Sequence, residues 1–134
     1  MTELSWLVGL QFQSIVRRDH DWVLVFDQDA SITISCLWRI CVEGRIQFTS
    51  EDDGHKFGRP SPVDAAAEVN QRLSKEFVKS VSLRKFELDL EIHFQSGSVF
   101  QILPNSAGYE AWSIDGSGGQ FIAVGGGNLA IIKK

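Results

Sequence analysis

Lys85-Phe86-Glu87-Leu88-Asp89-Leu90-Glu91-Ile92-His93-Phe94 alternates polar and apolar residues at every step. Successive side chains on an extended strand point to opposite faces. The pattern therefore predicts Phe86, Leu88, Leu90, Ile92 and Phe94 inward, with Lys85, Glu87, Asp89, Glu91 and His93 outward. A strand that is apolar on one side and charged on the other belongs to an antiparallel sheet with one solvated face. That period sets the fold class, and it recurs on both sides of the segment.

Upstream, Trp22, Leu24 and Phe26 alternate with Val23 and Val25, and Asp27-Gln28-Asp29-Ala30 supplies turn chemistry. The run from Ser31 to Val42 puts Ile32, Ile34, Cys36, Trp38, Ile40 and Val42 on one face. It is about twice a typical strand length, which predicts a bend or bulge. Glu43-Gly44 then turns the chain into Arg45-Ile46-Gln47-Phe48. Downstream, Gln95-Ser96-Gly97-Ser98 leads into a strand over 99–103, with further strands over 109–114, 121–124 and 129–132. Between the two strand regions, Ser61-Pro62-Val63-Asp64 reads as a helix start with Ser61 as cap. Ala66, Val69, Leu73 and Phe77 follow at helical spacing, predicting one amphipathic helix over about 62–78. The expected fold is α+β: a bent, mainly antiparallel sheet of about eight strands with that helix packed on it. The sequence shows no internal repeat and no linker, so residues 1–134 read as one domain.

A chain of 134 residues and 14.9 kDa can bury a core without disulfides or metals. No run approaches the ~18 apolar residues of a membrane-spanning helix. Residues 1–10 carry Glu3 and no Lys or Arg, so no secretory signal is expected. Cys36 and Cys41 lie five apart, which on one strand sends them to opposite faces. They read as free thiols, suited to a reducing cytoplasm. Thirteen basic residues against seventeen acidic ones give a net charge of −4. The adjacent basic pairs are only Arg17-Arg18, Arg84-Lys85 and Lys133-Lys134, so nucleic acid is not an expected partner.

Several constellations invite a chemical reading. The outward row Glu87, Asp89, Glu91 and His93 offers oxygen and imidazole ligands, the basis for a metal-dependent hydrolase. Residues two apart on a strand stand ~7 Å apart, however, so a solvated face is expected and no metal is assigned. Asp19-His20-Asp21 pairs carboxylate with imidazole, but neighbours on an extended chain diverge, and a polar turn is expected. Gly116-Ser117-Gly118-Gly119 and Gly125-Gly126-Gly127 open no helix, so they read as turn glycines and no cofactor is expected. The connection over 49–60 exceeds the usual ~4–6 residues, which predicts either disorder or a partner-contacting loop. In the second case Phe57 is the apolar anchor, beside His55, with Asp52, Asp53 and Arg59 as rim charges. Trp112 shares a face with Glu110 and Ile114 and is placed at a rim, open to a partner.

Tyr109-Glu110-Ala111-Trp112-Ser113-Ile114, a Gly-rich loop, and then Val124-Gly125-Gly126-Gly127-Asn128-Leu129-Ala130-Ile131 close the chain. This ending resembles those of small uncharacterised bacterial single-domain proteins, some of them similar to immunity proteins that neutralise secreted toxins. The resemblance covers the last quarter and carries over no functional residue. It implies a bacterial, cytoplasmic, non-enzymatic role. The expected function is therefore binding of a protein partner, immunity-like or adaptor-like. The alternatives are a small hydrolase built on the 87–93 row, and a homo-oligomer subunit whose sheet edges or faces are covered by its own copies.

Overall fold

The computed structural model describes residues 2–133; Met1 and Lys134, which begin the N-terminal stretch and complete the last basic pair, lie outside the described residues. Among the described residues the period-two segments form eleven strands in two sheets, where the sequence predicts about eight in one. In chain order these are β1 (Phe12–Arg17), β2 (Trp22–Phe26), β3 (Ser31–Ile34), β4 (Leu37–Val42) and β5 (Arg45–Thr49), then the helix α1 (Ala65–Leu73). After the helix come β6 (Val78–Leu83), β7 (Leu90–Phe94), β8 (Val99–Leu103), β9 (Trp112–Gly116), β10 (Gly119–Val124) and β11 (Asn128–Ile132). The six-stranded sheet runs β1-β2-β3-β9-β10-β11 and the five-stranded sheet β5-β4-β8-β7-β6, with every pairing antiparallel.

The topology repeats although the residues do not. A three-strand meander, β1-β2-β3, is followed by two strands in the opposite sheet, β4 and β5. After the helix a second meander, β6-β7-β8, is followed by β9 and β10 in the opposite sheet, with β11 added. The central pairs β3·β9 and β4·β8 each take one strand from each half.

The long run from Ser31 changes sheet at Ser35-Cys36, where Ser35 N–H donates to Ala111 C=O at 2.8 Å. Ile32 and Ile34 face the core from one sheet, Trp38 and Ile40 from the other. Alternation survives the crossover, so the sequence reads as a single strand. The segment over 85–89 departs from its expected strand in the other direction. It closes a turn in which Arg84 N–H donates to Asp89 C=O and Leu88 N–H to Arg84 C=O, with Leu88 at φ +63°. Only residues 90–94 form the strand, and Phe86, expected inward, is 75% exposed.

The helix is shorter than the predicted 62–78. Val63 pairs with the preceding loop, its N–H donating to His55 C=O, so the chain stays extended until Asp64. Asp64, not Ser61, is the cap, accepting Ala67 N–H at 3.1 Å. Asp53 fixes the same end by accepting Ala65 N–H at 2.9 Å. Ser74 leaves helical geometry, Lys75 takes φ +62°, and Phe77 forms a β-bridge with Gln11. Phe77 is therefore half-exposed, not buried on the helix as its spacing predicts.

Ala65, Val69 and Leu73 form the buried stripe of α1. Asn70 pins the helix to the free edge of β1: its Oδ1 accepts Ile15 N–H at 2.7 Å and its Nδ2 donates to Ile15 C=O at 3.1 Å. The amide thus replaces a missing strand neighbour. The core is continuous between the sheets. Trp38 meets Trp22 edge-on at 5.1 Å across the sheets and stacks on Phe100 at 5.1 Å within its own. Phe12 meets Phe94 edge-on at 6.3 Å. Among the described residues no helix is long and apolar enough to cross a membrane.

Candidate functional site

The connection from β5 to α1 is a built loop. Thr49 caps a short 3-10 helix (Ser50–Asp52) by accepting Glu51 N–H at 3.1 Å, and Asp52 Oδ2 accepts Thr49 N–H at 2.9 Å. Beyond it, Gly54 N–H donates to Val63 C=O and Val63 N–H to His55 C=O, both at 2.8 Å. Arg59 N–H donates to Lys56 C=O at 2.8 Å, closing a tight turn at the tip. The predicted rim carboxylates Asp52 and Asp53 thus hold the loop and the helix start, and both are half-buried.

His55, Lys56, Phe57 and Arg59 are the side chains the loop presents. Phe57 is 67% exposed, and the His55 ring stacks on it at 5.5 Å with 25° between the ring planes. Its backbone sits at φ +49°, followed by Gly58 at φ +78°. That left-handed geometry is natural for glycine and costs a bulky residue on the order of 1–3 kcal/mol.

Trp112 is elsewhere, and the rim placement does not hold. It is 1% exposed, and its indole N–H donates to Leu88 C=O at 2.9 Å, linking β9 to the β6–β7 turn. Register decides this: Trp112 pairs with Ile34 and Ala123, both inward residues.

The row over 87–93 is not a row. Glu87 sits in the turn and pairs with Arg84 at 2.8 Å; that hydrogen bond holds its carboxyl below the usual range. Asp89 is raised, mainly by burial. Glu91 accepts Gln101 Nε2–H at 2.7 Å and lies 3.1 Å from His93 Nε2. Arg39 Nε–H donates to Gln101 Oε1, so Arg39, Gln101, Glu91 and His93 form one chain across β4, β8 and β7. Among the described residues no three His, Cys, Asp or Glu side chains are grouped to hold a metal ion. Asp21 is engaged by Arg18 in a forked pair at 2.6 and 2.7 Å, which lowers its pKa, and His20 is exposed. Both cysteines are free, and burial pushes the Cys36 thiol up to about 12.

A second feature escaped the sequence reading. The β6–β7 turn, the loop over 104–111 and the β10–β11 turn converge, leaving Phe86 75% and Tyr109 82% exposed. A groove of about 510 Å³ runs beside Phe86, floored by Leu83, Leu88 and Leu129. The turns approach so closely that a Cβ on Gly127 would collide with the Phe86 carbonyl oxygen. Alternation assigned Phe86 and Tyr109 to strands; the only contrary signal was turn chemistry nearby. No protein-family description, curated protein or solved structure matches the chain.

Proposed function

We propose that this protein acts by non-covalent binding of a protein partner, in the manner of an immunity or adaptor protein, through the tip of the loop between β5 and α1. One observation carries the reading: Phe57 stands largely exposed at φ +49° in a loop whose backbone is closed by its own hydrogen bonds. The fold gains nothing from a phenyl ring there, and glycine would relieve the backbone. A ring already stacked on His55 loses little freedom on docking, which favours it as an anchor. With Asp52 and Asp53 turned to structural duty, the charges left at the tip are Lys56 and Arg59. The complementary partner surface is an apolar pocket rimmed by carboxylates, and salt weakens the encounter.

The test compares wild type, Phe57→Ala and Phe86→Ala in stability and in affinity capture from the source cell. Phe57→Ala should leave the unfolding free energy within ~0.5 kcal/mol, since the ring covers no core. It should weaken the captured complex by ~2 kcal/mol or more, while Phe86→Ala leaves it intact. A complex retained at full strength by Phe57→Ala removes the loop from the functional account.

A further inference from the structure

The two sheets turn different faces to solvent. Outward positions of the five-stranded sheet carry the Arg39–Gln101–Glu91–His93 chain, as a solvated sheet should. Outward positions of the six-stranded sheet follow another rule. Across all six strands in register lie Val16, Val23, Thr33, Ser113, Ile122 and Ala130. No charge interrupts that row. The next row is Ser14, Val25, Ser31, Asp115, Gln120 and Ile132, with Asp115 as its one ionisable side chain. Val16 is 46% and Ile132 54% exposed, and Val23, Val25, Ile122 and Ala130 are partly exposed. Exposed and partly exposed Val16, Val23, Val25, Ile122, Ala130 and Ile132, flanking a central column of Thr33, Ser31, Ser113 and Asp115, give this face the apolar content and low charge of an interaction surface.

We propose that this face is the contact surface of a homodimer, two copies packing sheet against sheet about a two-fold axis that runs along the strands between β3 and β9. The polarity of the central row is palindromic: two apolar residues, two hydroxyls, two apolar residues. Such a rotation lays Val16 and Val23 of one copy over Ala130 and Ile122 of the other, and Thr33 over Ser113. It also sets Asp115 opposite Ser31, so the carboxylate meets a hydroxyl and not its own copy. The central row is thus self-complementary, as a two-fold interface requires, while the next row sets Val25 over Gln120 and Ile132 over Ser14. A copy also suits the face because Asp115 is the one ionisable side chain of its two rows: chains of net charge −4 repel each other more strongly wherever more highly charged surfaces meet. Six strands ~4.8 Å apart and five residues of ~3.4 Å rise give a footprint of about 500 Å² per copy. The ~1,000 Å² for a pair reaches the lower bound of a specific interface, which implies a reversible dimer. The proposal is independent of the loop at Phe57.

Sedimentation velocity on the whole chain, from about 1 µM to about 1 mM, reads the result directly. Wild type should pass from 14.9 kDa to twice that mass within the range. Thr33→Lys, in the middle of the face, should stay at 14.9 kDa throughout with an unchanged melting temperature. Ser82→Lys, outward on the other sheet, should dimerise like wild type. If Thr33→Lys fails to fold, Ile122→Lys decides in its place. A wild type that stays monomeric throughout overturns the proposal and leaves the face to a different protein. A dimer that survives Thr33→Lys overturns it too, by placing the contact at a sheet edge.

Discussion

Removing the Asn70 side chain tests how the helix is held. Asn70→Ala deletes both hydrogen bonds to Ile15 at the edge of β1. Each has a net worth of ~0.5–1.5 kcal/mol, so together they contribute ~1–3 kcal/mol. Alanine returns ~0.5 kcal/mol through better helix propensity. The expected net loss is ~0.5–2.5 kcal/mol, measured against the ~5–15 kcal/mol available to a domain. Gln71→Ala, one position along and exposed, should stay within ~0.5 kcal/mol of wild type. Asn70→Asp sharpens the test. One carboxylate oxygen still accepts Ile15 N–H, but the other faces Ile15 C=O, and only protonation lets it donate. Its folded pKa is therefore raised, and stability should recover as pH falls from 7 towards 4, opposite to an ordinary acid limb. Urea unfolding followed by tryptophan fluorescence gives both quantities, with an unchanged slope confirming that the same transition is read. An Asn70→Ala midpoint equal to wild type, or an Asn70→Asp stability flat with pH, would refute the pinning role.

Two tryptophans offer a matched comparison. Trp112 donates to Leu88 C=O, whereas the buried Trp38 indole N–H has no partner. Trp112→Phe should therefore cost ~1–3 kcal/mol more than Trp38→Phe, because only the former orphans a buried carbonyl; equal midpoint shifts in urea would contradict this. The Cys36 thiol, pushed up to about 12, stays protonated at neutral pH. At pH 8 its alkylation should be at least ~100-fold slower in the folded protein than in urea, because the unfolded thiol ionises near ~8.5. Stability depends on the same ionisation: the contribution is complete below ~8.5 and declines as pH rises towards the folded value, because only the unfolded thiol ionises there. Peptide mass spectrometry of native and unfolded samples checks the rates.

Period two makes the antiparallel class, and most strands, legible in the sequence. It failed where alternation carried on through a change of direction. Ile32, Ile34, Trp38 and Ile40 keep one parity across the crossover at Ser35-Cys36, so one long strand and two short strands in different sheets look alike. The 85–89 turn hides in the same way: Leu88 is buried as alternation predicts, but through a left-handed backbone that turns Phe86 outward. The helix was overextended because nothing local reveals that Val63 is needed by the loop or that Phe77 is needed by Gln11. At the candidate site, length and composition located the loop and its exposed phenylalanine. They could not show that Asp52 and Asp53 face inward onto backbone amides, since both roles suit a carboxylate. The weakly charged outer face of the large sheet is spelled out residue by residue, but only strand register assembles it.

The interleaving of the two halves also governs how the chain comes into being. On the ribosome, β3 and β4 emerge first, and the strands they pair with, β9 and β8, lie far downstream. At ~5–20 residues per second, the roughly eighty residues between the ends of β3 and β9 take some 4–16 s to synthesise. Until β8 and then β9 are made, the nascent N-terminal half displays unfilled edges on β4 and β3 and the apolar sides of Ile32, Ile34, Trp38 and Ile40. Premature termination anywhere before β9 leaves a sticky fragment, not a smaller working protein. Nascent-chain protection is thus a requirement written into the strand order.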